Sequence, residues 1–241
     1  DCSLPSTWAS TMGIYFSNGH DYLVGCCLTK YDKNSNYISK FQHIDFLLLM
    51  IICRSSAYFG YPLASSGQNQ GFTKELYNRI GGFLKITKFL GDDTPFLQLC
   101  RNKGAKISFV DEPSAKILSR QESKISNFLF QRARWAFDAN QIWKINITLY
   151  ILLIFIFLSY LMIPLFIFSS IFNPTLIITL IALKFLLELI LVYIGSIRYS
   201  ITISFIDFII WELFHIPYII LVGIMSFFNN QIRWKGRRLS I

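Results

Sequence analysis

The chain has 241 residues, of which 53% are hydrophobic and 17% aromatic, and its formal net charge is +9. A soluble nucleic-acid-binding protein can carry such a charge but is rarely this apolar. The composition therefore weighs against that class and favours a membrane protein whose basic residues face the cytoplasm. The apolar residues are concentrated in residues 147–228, whereas residues 1–146 are polar enough to fold in water.

Helix-forming and strand-forming segments alternate along the polar half. In chain order we predict a helix over 6–18, a strand over 21–31, a helix over 41–59, a short helix ended by Gly81-Gly82, and a strand over 104–113. This alternation predicts an α/β layer. About a hundred residues is small for such a domain, so we expect further sequence before Asp1.

Two of the three apolar segments in the second half predict transmembrane helices. Residues 147–172 contain no charge, and at about 1.5 Å per residue they reach about 39 Å, more than the ~30 Å hydrocarbon core. Residues 174–194 predict a second span, joined to the first as a hairpin through Asn173-Pro174.

The third apolar segment, residues 201–228, leaves the number of crossings at two or three. Three full crossings would place the sequences RARW and RWKGRR on opposite faces of the membrane, although lysine and arginine clusters prefer the cytoplasmic face. A polar stripe at helical spacing allows the segment to lie in the interface instead, or to dip in and return around Pro217. We favour both basic clusters being cytoplasmic. The stripe consists of Ser200, Ser204, Asp207, Trp211 and His215.

Charged residues inside the apolar half predict either a structural pair or a lipid contact. Lys184 and Glu188 are four positions apart in the second span, and ions inside a membrane usually pair or face a polar cavity. We expect a structural pair, with contact between Lys184 and a lipid phosphate as the alternative. Asp207, Glu212 and His215 are expected at the interface.

Motifs with chemical meaning follow one another in a fixed order along residues 1–145. They are DCSLPSTW at the start, SGQNQGF at 66–72, GGF at 81–83, GDDTPF at 91–96, and QRARW at 131–135, directly before the first span. This order resembles the family 2 glycosyltransferases, membrane-anchored enzymes with a GT-A nucleotide-sugar domain. The resemblance implies the carboxyl-terminal half of such a domain followed by a helical transmembrane region.

The start of the chain is similar to the end of the family's Asp-x-Asp motif. Asp1, Cys2, Pro5 and Trp8 fall at the spacing found there, so the resemblance implies that Asp1 is the last aspartate of the motif and a ligand of a divalent cation, Mg or Mn. Such a cation stabilises the departing diphosphate. An alternative takes Asp1-Cys2-Ser3 as the whole motif, in which Ser3 would be a poor ligand.

The acidic pair of GDDTPF is the candidate for catalysis. A carboxylate at the cleft can take the proton of the attacking hydroxyl as general base. The resemblance implies that Asp93 is this base and Asp92 the acidic residue beside it. Family members often carry a further acid two positions after the base, where this chain has Pro95.

The QRARW segment is the candidate for substrate binding. On a helix Gln131, Arg134 and Trp135 lie on one face. A guanidinium matches phosphate geometry, and the resemblance implies that these residues bind the donor diphosphate and the acceptor. Arg132 points elsewhere and is expected at lipid headgroups. An interfacial anchor explains the isolated pentapeptide as well.

The SGQNQGF segment predicts a loop near the acceptor. Gly67 allows a close approach of the backbone, and Asn69 is a candidate binding residue; a plain turn is the alternative. We accordingly divide the chain into a partial catalytic domain (1–118), an interfacial helix (119–146) and a membrane region (147–241).

The function expected from these motifs is membrane-bound, inverting transfer of a sugar from a nucleotide-sugar donor to an acceptor hydroxyl, with a lipid-linked acceptor expected. The expected partners are a nucleotide-sugar donor, a lipid or glycan acceptor and the membrane, with the catalytic domain in the cytoplasm and no nucleic acid. The alternatives are a processive polysaccharide synthase and a non-catalytic membrane protein. The 1–241 fragment alone is expected to be inactive.

Overall fold

The computed structural model describes residues 2–32, 34–86, 89–168, 173–228, 233–234 and 237–238. The chain divides into two compact units. The first comprises Asp1–Ser123 and Lys144–Asn146, and the second comprises Lys124–Trp143 and Ile147–Ile241. Each unit has its own secondary structure and is described separately.

The first unit alternates helices and strands, which confirms the predicted α/β class. Its helices are α1 (Trp8–Ser17), α2 (Tyr37–Tyr58), α3 (Lys74–Ile80) and α4 (Asp93–Asn102). Its strands are β1 (Cys2–Ser3), β2 (Tyr22–Gly25), β3 (Cys27–Thr29), β4 (Gln70–Phe72), β5 (Ile107–Val110) and β6 (Ile117–Ser119).

The strand predicted over 21–31 is two strands that belong to different sheets. β2 pairs with β4 antiparallel and with β5 parallel, while β3 pairs with β6, which also holds β1. The two strands part at Cys26, whose backbone N–H donates to Val110 O and whose carbonyl accepts from Ile117 N. One continuous apolar run therefore serves both sheets.

The core lies on both faces of β2 because successive side chains of a strand point to opposite sides. Tyr22 and Val24 pack with residues of α3 and α4, including Leu76 and Phe96. Leu23 packs on the other face with Met12 of α1. This arrangement fixes α4, and with it Asp93 at its first position, against the sheet.

Helix boundaries in the first unit follow local sequence signals. α2 begins at Tyr37, four residues before the predicted start, because the side chain of the preceding Asn36 accepts a hydrogen bond from Ser39 N and caps the helix. Gly81 ends α3 in the left-handed conformation, with φ 86°, as the glycine pair predicted.

The second unit is helical. Its helices are α5 (Ile125–Gln141), α6 (Ile147–Phe168), α7 (Pro174–Tyr199) and α8 (Phe205–Met225), and a short hairpin follows with β7 (Arg233–Trp234) and β8 (Arg237–Arg238). By length and composition α6, α7 and α8 can each cross a membrane, with mean hydropathies of 2.8, 2.5 and 2.0. Residues 169–172 of the first predicted span lie outside the described residues.

The third apolar segment is a single helix that continues through Pro217, so the predicted dip and return there was wrong. The part of its polar stripe that lies within the helix is buried, since Asp207, Trp211 and His215 are only 6%, 1% and 8% exposed. Ser200 and Ser204, which precede the helix, are exposed.

Five polar side chains from α6, α7 and α8 form one cluster. The Lys184 ammonium donates to Glu188 Oε2 and to Glu212 Oε1, both at 2.7 Å. The Tyr160 hydroxyl donates to Glu188 Oε1 at 2.9 Å and lies 3.4 Å from His215 Nδ1. The expected Lys184–Glu188 pair is thus confirmed. Glu212 and His215 complete this cluster, and the interfacial position expected for them stays a prediction.

Candidate active site

Asp93 is held by two backbone N–H groups at the start of α4. Its Oδ2 accepts from Gly67 N at 2.9 Å, and its Oδ1 accepts from Thr94 N at 2.7 Å. The side chain is partly exposed and that of Asp92, directly before it, is exposed. The acidic pair therefore contacts the 66–72 loop. The two contacting residues, Gly67 and Asp93, are 26 positions apart in the chain.

Thr94 makes a second link between the same two segments. Its hydroxyl donates to Ser65 O and accepts from Ser65 N, both at 3.2 Å. The sequence motifs indicated no role for Thr94 or Ser65. The only available signal was that Thr94 directly follows the acidic pair. Pro95 is buried in the first turn of α4, where a helix tolerates proline because the missing N–H would have no intrahelical partner.

Gly67 contacts Asp93 through its backbone. A Cβ added at this glycine would lie 3.5 Å from Asp93 Oδ2, which is an ordinary van der Waals distance. The hydrogen bond to Asp93 therefore needs the Gly67 N–H but not the absence of a side chain. The predicted close approach of a ligand to this backbone stays a prediction.

Asn69 is part of the scaffold of the loop. It is 1% exposed; its Nδ2 donates to Cys26 O at 2.7 Å and to Ala115 O at 2.9 Å, and its Oδ1 accepts from Trp8 Nε1 at 3.0 Å. These bonds occupy both amide hydrogens within the protein. Asn69 therefore positions the loop, and its binding of donor or acceptor stays a prediction.

Gly25 makes room for the Asn69 amide. A Cβ at Gly25 would lie 2.2–2.4 Å from the three outer atoms of that side chain, closer than real contacts allow. Gly25 N also donates to Asn69 O at 2.8 Å. The end of β2 and the loop are thus packed without space for a methyl group.

A buried hydrogen-bond network supports the loop from below. The Tyr22 hydroxyl lies 2.5 Å from Gln70 Oε1 and 3.3 Å from Ser65 Oγ, which in turn donates to Gln70 Oε1 at 3.1 Å. Burial raises the pKa of Tyr22 well above its usual value, so the phenol stays a neutral donor. The network connects the core strand β2 with Ser65, the partner of Thr94.

The QRARW residues lie on α5 in the second unit. Gln131, Arg134 and Trp135 are all partly exposed, and their spacing places them on one side of the helix. Within the described ranges, the buried Oε1 of Gln131 has no hydrogen-bond partner. An amide oxygen without a partner is costly to bury; the binding of a substrate by Gln131 stays a prediction.

Arg132 is buried, which overturns its expected position at lipid headgroups. It is 4% exposed. Its guanidinium lies 4.1 Å from the centroid of the Trp135 ring and 5.2 Å from that of Phe128. These residues are three and four positions away on the same helix, so the cation–π contacts draw Arg132 against the aromatic rings.

The predicted metal ligand, Asp1, lies outside the described residues. Within the part of the chain that the structure describes, no three His, Cys, Asp or Glu side chains come close enough together to hold a metal ion. The described side chains therefore do not by themselves provide a set of ligands for a divalent cation.

Comparison with known proteins gives the family. The model of glycosyl transferase family group 2 matches residues 11–226. A search among curated proteins found no match. The matched range includes the acidic pair, the QRARW segment and α6–α8. The chain therefore belongs to glycosyl transferase family group 2.

Proposed function

We propose that the protein is a membrane-bound inverting glycosyltransferase that moves a sugar from a nucleotide-sugar donor to the hydroxyl of a lipid-linked acceptor. Family membership supports the transferase activity, and the three long apolar helices support the membrane location. The proposed orientation places the catalytic unit in the cytoplasm, because the basic residues flanking α6, such as Arg134 and Lys144, favour that side.

The observation that carries the proposal is the held carboxylate of Asp93. Each of its oxygens accepts one backbone N–H, and a carboxylate oxygen has a second lone pair for another donor. The acceptor hydroxyl donates to this carboxylate and transfers its proton as its oxygen bonds to the anomeric carbon. The bond from that carbon to the diphosphate breaks, and the nucleoside diphosphate leaves with the electron pair.

In this proposal the α5 residues bind the substrates. Arg134 donates paired hydrogen bonds to the donor diphosphate, whose negative charge grows as it leaves. Gln131 adds a neutral contact. Trp135 offers a flat apolar surface to a sugar ring or the acceptor.

Members of this family usually use divalent cations, and Mg or Mn with Asp1 as one ligand stays a prediction. Added chelator should then abolish transfer by the full-length protein. Product size separates the proposal from a processive synthase: one sugar for each acceptor, or a polymer. A non-catalytic protein would release no nucleoside diphosphate from any donor.

The test of substrate binding is Arg134→Gln in the full-length protein in lipid nanodiscs. Loss of a charge-assisted hydrogen bond to the diphosphate should raise the KM for the nucleotide-sugar about 10- to 100-fold. Arg120→Gln removes the same charge from an exposed position and should leave KM near the wild-type value. Equal KM values for the nucleotide-sugar in the two variants would contradict the binding of the diphosphate by Arg134.

A further inference from the structure

Two large aromatic side chains are exposed where α2 ends. Tyr58 is 81% and Phe59 80% exposed, and their rings pack edge to face with centroids 5.5 Å apart. Neighbouring exposed aromatic residues on a folded unit mark a surface that contacts something else. The question is what this pair contacts.

The chain directly after the pair is fastened to the residues that precede the first span. Gly60, with φ 76°, turns the chain out of α2. The Tyr61 hydroxyl then donates to Asn146 Oδ1 at 3.3 Å. These two residues belong to the same compact unit, so the aromatic pair lies only two to three positions from a side chain that contacts Asn146.

A buried glutamine strengthens this connection. Gln98 is fully buried; its Nε2 donates to Pro62 O and Leu63 O at 2.9 and 2.8 Å, and its Oε1 accepts from Asn146 Nδ2 at 2.7 Å. Three residues from two distant chain segments are therefore held by one amide side chain. The place of the aromatic pair relative to Asn146 is a fixed feature of the first unit.

Asn146 is the last residue before α6, which begins at Ile147 and can cross a membrane. The chain therefore enters the hydrocarbon next to Asn146. The headgroup region is about 5–8 Å thick on each side of the core, and consecutive Cα atoms are about 3.8 Å apart. Side chains so near the entry point are within reach of the headgroups.

Basic side chains occupy the same neighbourhood. The Arg101 guanidinium lies 3.9 Å from the centroid of the Tyr61 ring, and Asn102, next in the chain, donates to Ile145 O at 2.9 Å. Lys103 and Lys144 are exposed. Aromatic and basic residues together are the composition that membrane interfaces favour.

We propose that Tyr58 and Phe59 form a membrane-contact surface of the first unit, which inserts into the lipid headgroup layer near Asn146, the residue that precedes α6 in the chain. The partner is the lipid bilayer itself. A second protein chain is the rival occupant, but the fixed connection of this surface to Asn146, the residue directly before α6, favours lipid.

The experiment places a photoreactive benzoylphenylalanine at Phe59 in the full chain, reconstituted in phospholipid nanodiscs. The matched control carries it at Tyr37, which is 66% exposed at the opposite end of the same helix, about 30 Å away at 1.5 Å per residue. Wild-type-like thermal unfolding of both variants establishes that they fold.

We expect illumination to yield phospholipid adducts several-fold more often from position 59 than from position 37, as measured by mass spectrometry. Equal lipid adducts at the two positions would overturn the proposal. Adducts at position 59 only with a second protein chain would also overturn it.

Discussion

Both units contain two neighbouring carboxylates, but they use them in different ways. Asp92 and Asp93 lie at the surface of the first unit, and Asp93 is held by neutral backbone donors. Glu188 and Glu212 are shielded in the second unit and share the ammonium of Lys184. A carboxylate held by N–H groups stays available to take a proton, whereas one paired with a buried lysine joins helices together.

The largest effect on folding is expected from Lys184→Met. It leaves two shielded carboxylates without their cation, and breaking a buried ion pair in this way costs about 3–5 kcal/mol. Thermal unfolding in one detergent measures the loss. Lys144→Met, at an exposed position outside the membrane helices, is the matched control. An unchanged unfolding temperature in Lys184→Met would contradict the structural role of the cluster.

A pH-dependent effect is expected in the first unit, from His43. This side chain is 1% exposed, and its Nδ1 lies 2.9 Å from Thr29 O, so Nδ1 carries the hydrogen. Burial lowers the pKa of His43 to about 4 from its usual 6.5. The unfolded chain therefore binds a proton near pH 6.5, whereas the folded protein does so only near pH 4.

Because of this difference in pKa, the free energy of unfolding should decrease as the pH falls from 6.5 to 4. The decrease due to His43 should reach about 3 kcal/mol at pH 4. His43→Gln supplies an amide N–H donor in place of the ring N–H, but its side chain cannot titrate. The unfolding temperature of this variant should depend less on pH across that window than that of the wild type. Parallel pH profiles would show that His43 is not responsible.

A smaller effect is expected from Gly25→Ala. The new methyl group would overlap the Asn69 amide, and overpacking of this kind costs about 1–3 kcal/mol. Gly13→Ala is the control, because nothing lies within 4 Å of a Cβ there and alanine favours the helix by about 1 kcal/mol. The midpoint of chemical denaturation should therefore fall in Gly25→Ala and rise in Gly13→Ala. A stable Gly25→Ala variant would mean that the loop is not rigidly packed.

Local patterns were enough to predict much of the fold. Long apolar segments indicated α6 and α7, and Gly81 indicated the end of α3. The division of residues 21–31 between two sheets was missed, because strand pairing is decided by partners such as β5 and β6 that lie far along the chain. Hydropathy alone does not show where a strand changes partners.

The site was harder to predict where a role depends on distant contacts. The spacing of Lys184 and Glu188 revealed their pair, but Glu212 joins it from another helix, 28 positions away. Asn69 looked like a ligand residue in its loop, although its partners Trp8, Cys26 and Ala115 come from three other segments. Short sequence motifs do not predict contacts between residues that are distant in the chain.

The most direct test of the proposed chemistry is the sugar-transfer rate of Asp93→Asn in the full-length protein, with donor binding measured alongside. An asparagine cannot take the proton, so the transfer rate should fall about 10²- to 10⁴-fold while donor affinity stays near the wild-type value. Glu75→Gln, at an exposed position in α3, should transfer normally. An Asp93→Asn variant that transfers sugar at the wild-type rate would contradict the account.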